Sequence, residues 1–175
     1  MFSSKAQLRK RTPQNGTDRE NYLSLLVDEF INSSSIDAKS QVLANLANFA
    51  YDPINYGYIR DVGVLDIFLH VIKKETEPKL IHFACAGISN LCIDPLNTEY
   101  LLTNEALPPL VKLLKCEHSD IVADVITILI YLKSCGKDIQ LNTREINEVM
   151  KTLKSSTNNM IVNLATIFLD DTNTE

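Results

Sequence analysis

The sequence predicts an all-α solenoid of about four stacked helical units, with the terminal units degenerate. The first observation behind this is self-similarity at a period of 42 residues, since a fixed period of that length marks stacked repeats. Within each period the apolar residues recur at three-to-four spacing, which belongs to amphipathic helices and not to strands. Only five glycines and six prolines occur in 175 residues, leaving little material for hairpins or long loops.

Taken in order, residues 1–17 carry Lys5, Arg9, Lys10 and Arg11 without an acid. That charge of +4 leaves −9 on residues 18–175, out of a total of −5. With Ser3, Ser4, Pro13, Gln14, Asn15 and Gly16 among them, these residues are expected to form a disordered basic tail. The basic run at 8–11 fits an import signal or a contact arm. Short runs of this kind are common, and a solvated tail is the simpler reading. The repeat domain is expected over 18–171, followed by a short acidic tail at 172–175.

The first helix begins near Tyr22, where Leu23, Leu26, Val27, Phe30 and Ile31 make one apolar face. A second helix at about 37–51 buries Val42, Leu43, Leu46, Ala47, Phe49 and Ala50. Shifting residues 44–72 by 42 sets Ala44 on Ala86, Asn48 on Asn90, Asp52-Pro53 on Asp94-Pro95, Asn55 on Asn97, Tyr58 on Tyr100 and Leu65 on Leu107. The same shift sets Leu23 on Leu65, Leu26 on Phe68 and Phe30 on Ile72. Each Asp-Pro pair predicts a helix start, because Asp accepts from unpaired N–H groups and Pro at the first position gives up no bond. The full unit is therefore a short helix (about 54–61), a second (about 64–74) and a longer third (about 79–92). Pro108 and Pro109 suit the first turn of the next second helix. Two looser copies follow: Ile146 to Lys154 resembles Leu107 to Lys115 at a shift of 39, and Asn163-Leu164-Ala165 with Asp170 echoes Asn45-Leu46-Ala47 with Asp52. Further third helices are placed at about 120–134 and 157–169.

Composition excludes several functions. The richest apolar stretch, Ile121 to Leu132, contains Asp124 and is too short to span a bilayer. No membrane association is expected, and the N-terminus lacks the apolar segment of a secretory signal. The four cysteines (Cys85, Cys92, Cys116, Cys135) then read as reduced thiols in a cytosolic or nuclear setting. An acidic body is a poor match to a phosphate backbone, so no direct nucleic-acid binding by the folded part is expected. No phosphate loop, nucleophile elbow or zinc-protease motif occurs, and no enzymatic activity is expected. His82, Cys85 and Cys92 have a spacing that metal ligands can share. Their place among core-type residues such as Ile88 and Leu91 favours buried thiols. No metal and no cofactor are expected.

A three-helix unit of about 42 residues, with Ala-x-x-x-Asn in its third helix and Asp-Pro after it, resembles the armadillo repeat. The stretch Gln41-Val42-Leu43-Ala44-Asn45-Leu46-Ala47-Asn48-Phe49-Ala50-Tyr51-Asp52-Pro53, with Ile167-Phe168-Leu169-Asp170 near the end, is similar to a family of small proteins built from armadillo repeats alone. The resemblance implies an armadillo-type right-handed α-solenoid, monomeric by itself, with a concave groove for a protein partner. It further implies a nuclear component of the minor spliceosome, acting in pre-mRNA splicing with an RNA-recognition-motif protein. A general peptide adaptor unrelated to splicing and an RNA contact through the basic tail stay open beside it.

In armadillo proteins the third helices line the groove. Positions −7, −4, 0 and +4 around the repeat Asn share one stripe. These are Gln41, Ala44, Asn48 and Asp52 in the first unit, with Asn45 beside them, and Phe83, Ala86, Asn90 and Asp94 in the second. Tyr131 and Thr166 take the Asn position later. A side-chain amide pairs with both groups of an extended backbone, so Asn48 and Asn90 are candidate peptide anchors. They serve equally well as braces between units. Many peptide-binding armadillo proteins carry Trp where this chain has Ala44 and Ala86, so a pocket for lysine stems is not expected.

Overall fold

The computed structural model describes residues 2–3, 6–7, 18–136, 141 and 143–170, and among these there are helices and turns but no strand. The first unit is α1 (Arg19–Asn32) and α2 (Ile36–Ala50). The second is a 3-10 turn (Pro53–Asn55) leading into α3 (Tyr56–Asp61), then α4 (Val64–Lys74) and α5 (Pro78–Leu91). The third comprises α6 (Pro95–Thr103), α7 (Leu107–Leu113) and α8 (Ser119–Ser134). The fourth contributes α9 (Arg144–Leu153) and α10 (Asn159–Asp170). The four expected third helices are thus α2, α5, α8 and α10, each end within two residues of its expected place. The basic run at 8–11 and the acidic tail at 172–175 lie outside the described residues.

Helix starts follow the chemistry read from the sequence. Asp18, Ser35, Asp52, Asp94 and Thr143 each accept a hydrogen bond from a backbone N–H two or three residues on, satisfying groups the helix cannot pair itself. Pro53, Pro78 and Pro95 open their helices. The turn between the first and second helix of a unit needs a left-handed residue. Gly63 supplies it at φ 77°, and Glu105, 42 residues later, adopts φ 54°.

The third helices pack in sequence, α2 on α5, α5 on α8 and α8 on α10, while α1, α4 and α9 cover them from the outer side. Leu43, Leu46, Phe68, Ile88, Leu129 and Phe168 are buried in one continuous core. Packing across that core is complementary in volume. A Cβ on Gly87 of α5 would lie 2.4 Å from Cζ of Phe68 on α4, so the bare backbone makes room for the ring. Where the repeat sets Leu26 and Leu110 in place of Phe68, residues 45 and 128 are Asn and Ile.

Polar ties cross the unit borders. Arg19 Nη1 donates to Asn55 Oδ1 at 2.8 Å, and one repeat later Arg60 Nη1 donates to Asn97 Oδ1 at 2.8 Å. Both Asn side chains in turn donate to carbonyls that end the preceding third helix, Phe49 and Leu91. Lys133, buried in α8, donates to the Phe168 carbonyl at 2.9 Å, placing a cation on the negative end of α10.

Candidate groove on the layer of third helices

Because α2, α5 and α8 lie side by side, the predicted stripe becomes a surface. Gln41 and Asn48 are exposed, whereas Ala44, Asn45, Phe83, Ala86, Asn90 and Tyr131 are half-buried. The two repeat Asn residues differ in what they do. Asn90 Nδ2 donates to the Ala47 carbonyl in the last turn of α2 at 3.2 Å, so it caps the neighbouring third helix from the next unit. The backbone carbonyl of Asn90 accepts from the Tyr56 hydroxyl at 2.9 Å. Asn48 makes no side-chain hydrogen bond among the described residues. Thr166 turns its hydroxyl onto the Val162 carbonyl of its own helix at 2.8 Å, and it stands apart from the others on α10.

The Asp residues after the third helices also differ. Asp94 uses Oδ1 for the N–H groups of Leu96 and Asn97 and for Arg60 Nη1 at 3.2 Å. Asp52 uses Oδ1 only for Ile54 N–H at 3.4 Å and directs Oδ2 at the backbone N–H of Ser3, 3.0 Å away. Burial alone would raise the Asp52 pKa. The hydrogen bonds from Ser3 and Ile54, with the nearby Arg19 charge, outweigh it and hold the carboxyl below its ordinary value.

A cleft of about 260 Å³ opens beside Asn90, lined by Phe2, Tyr51, Pro53, Tyr56, Ser89, Asn90, Ile93 and Tyr131. It brings together two predicted groove residues, Asn90 and Tyr131, and adds three exposed apolar side chains, Phe2, Tyr51 and Ile93. Tyr51 and Ile93 occupy one repeat position, directly before the Asp-Pro pair. An apolar residue beside a polar cap in both copies is a signal the sequence carries and the stripe argument missed. Nothing in the spacing marks Phe2.

Higher on the same layer, His82 Nδ1 of α5 and Asp124 Oδ2 of α8 face each other at 3.5 Å, and neither atom has a hydrogen-bond partner. Burial pushes the Asp124 carboxyl up to about 6, with the Asp120 charge adding to the rise and His82 opposing it. Cys85 and Cys92 are fully buried, and burial raises both thiols far above their ordinary range, so they are inert as nucleophiles. Among the described residues no three His, Cys, Asp or Glu side chains gather as metal ligands would.

Comparison with known proteins agrees with this architecture. The chain is 43% identical over 168 residues to mouse armadillo repeat-containing protein 7, a match covering 95% of the chain and 83% of the mouse protein. No protein-family model matches it. Among solved structures, a designed armadillo repeat protein in complex with the peptide (KR)4 superposes with a TM-score of 0.70 at 20% identity, over 86% of this chain. Computationally designed armadillo repeat proteins for modular peptide recognition give 0.71 at 20% identity over 85%. This chain spans 64% and 63% of the length of those two designs, slightly less than two thirds.

Proposed function

This chain belongs to the family of armadillo repeat-containing protein 7, and from that premise we propose that it is a non-enzymatic scaffold holding a protein partner on its layer of third helices. The observation that carries this reading is the cleft between three units, with the free amide of Asn48 on the same layer and exposed Tyr51 and Ile93 at the rim. Apolar anchors beside unpaired polar groups are the usual make-up of a recognition surface. With Asn90 committed to Ala47, the amide ladder has one open rung. Recognition then rests on the aromatic cleft more than on a run of backbone-reading amides.

The finer reading is a nuclear role in pre-mRNA splicing, as a component of the minor spliceosome bound to an RNA-recognition-motif protein. Its support is the likeness to small proteins built from armadillo repeats alone. Affinity purification of the full chain from nuclear extract tests it. The expected outcome is an RNA-recognition-motif protein together with minor-spliceosome components. A partner set without splicing proteins would instead make the chain a general peptide adaptor. Salt-sensitive RNA binding that disappears on removing residues 1–17 would move the contact to the basic segment. Against the recovered partner, Asn48→Ala should weaken binding by about 1–3 kcal/mol, since the partner's backbone groups lose their pair.

A further inference from the structure

We propose that the Asp52 end of the groove is a binding site for an extended segment presenting an aromatic side chain followed by a backbone N–H. In the free protein the chain's own Phe2–Ser3 fills that place. The Phe2 ring lies 5.7 Å from the Tyr51 ring at an interplanar angle of 48°, within the range of favourable tilted aromatic pairs. The next residue, Ser3, donates its backbone N–H to Asp52 Oδ2 at 3.0 Å. A hydrogen bond to an ionised acceptor is stronger than one between neutral groups. The contact joins residues 49 apart in the chain, so no local turn imposes it.

The repeat explains why Asp52 is the anchor. At the equivalent position Asp94 is taken by two cap bonds and by Arg60. In the first unit the corresponding cation, Arg19, bonds Asn55 and lies over the Phe49 ring at 5.1 Å. One oxygen of Asp52 is thereby left for a ligand.

Beyond Phe2 the cleft continues between Ile93 and Tyr131 to the Asn90 side chain, and its volume of about 260 Å³ suits one side chain. The site therefore selects an aromatic residue next to a small polar one and disfavours acids near Asp52. A partner that uses this end of the groove has to displace Phe2–Ser3. That consequence rests on the groove reading, whereas the seating of Phe2–Ser3 does not.

The test uses the full chain and a synthetic octapeptide of its first eight residues, Met-Phe-Ser-Ser-Lys-Ala-Gln-Leu, titrated into 15N-labelled protein. A tethered segment competes at roughly millimolar effective concentration, so the wild type should bind the peptide weakly. Phe2→Ala should bind it roughly fivefold tighter or more, with amide shifts centred on Tyr51, Asp52 and Asn90. Adding Asp52→Asn should abolish that gain while the thermal midpoint shows the variant folded. A peptide carrying Ala in place of its Phe should bind neither protein. Equal binding by wild type and Phe2→Ala, or shifts centred elsewhere, overturns the proposal. Weaker binding by Phe2→Ala also overturns it, because Phe2 would then be a wall of the site and not its occupant. None of these outcomes bears on whether a partner is recovered from extract, so the two proposals fail separately.

Discussion

Replacing Asn90 and Asn48 by Ala separates a brace from an open rung, and the structure sets the size of each effect. Asn90→Ala removes a bond to the Ala47 carbonyl, which sits in the last turn of α2 where intrahelical donors run out. A neutral hydrogen bond contributes about 0.5–1.5 kcal/mol net, and a half-buried carbonyl left without a donor adds to the loss. The better helix propensity of Ala returns a few tenths of a kcal/mol. The Tyr56 bond is made to the Asn90 backbone and survives the change. The net cost is therefore about 1–2 kcal/mol. With a urea slope of about 2 kcal/mol/M, typical for small proteins, the unfolding midpoint should fall by about 0.5–1 M. Asn48→Ala removes an exposed amide and should stay within about 0.5 kcal/mol of wild type. Asn90→Asp keeps the shape without the donor, so it should lose at least as much as Asn90→Ala. Equal costs for Asn90→Ala and Asn48→Ala, or a fully stable Asn90→Asp, would refute the cross-unit cap.

Three further predictions follow from packing, electrostatics and backbone. Gly87→Ala sets a methyl 2.4–3.0 Å from three ring atoms of the fully buried Phe68. It should destabilise by about 1–2 kcal/mol in denaturant melts despite the helix-propensity gain of Ala. Adding Phe68→Leu, the residue at equivalent positions 26 and 110, should cancel the cost, and a persistent penalty would place the strain elsewhere. The Asp124 pKa near 6 lies above its unfolded value, so the native state binds more protons between about pH 4 and 6, and stability is lost as pH rises through that window. Asp124→Asn should therefore stabilise at pH 7.5 by on the order of 1–2 kcal/mol, allowing for partial solvent screening. That gain should shrink as pH falls through the window and vanish only below about pH 4, and a pH-independent gain would rule the titration out. Glu105→Gly relieves a left-handed residue at the place where the preceding unit has Gly63. It should raise stability by up to about 1 kcal/mol, and a melt showing a loss would mean the Glu105 side chain repays its strain.

The architecture was legible because periodicity, Asp-Pro caps and scarce glycine agree on one answer. Even the degenerate fourth unit was found, since Ile146 and Met150 are buried where a second helix should place them. The functional surface was legible only in outline. One pattern, Ala-x-x-x-Asn, marks both Asn48 and Asn90, but the structure gives them different work. Asn90 reaches back to a third helix 43 residues earlier. Asn48 sits on the first third helix among the described residues, with no earlier one to reach. A local motif does not encode that difference; position in the stack does. The Phe2 contact lay further still from view, because a lone aromatic in a polar segment has no periodicity to report. Lys133 stands in the last turn of α8, yet its ammonium serves the end of α10 and not that of its own helix.

The ties between units also restrict how such a chain can change its length. Arg19 meets Asn55 at an offset of 36, Arg60 meets Asn97 at 37, and Asn90 meets Ala47 at 43. A residue inserted within the second unit shifts one end of a tie against the other and strands a donor or an acceptor. Duplicating or deleting a complete 42-residue block renews the offsets at each new junction. Over evolutionary time, growth of this molecule is therefore quantised: whole blocks are the increments that keep its internal bookkeeping of donors and acceptors intact.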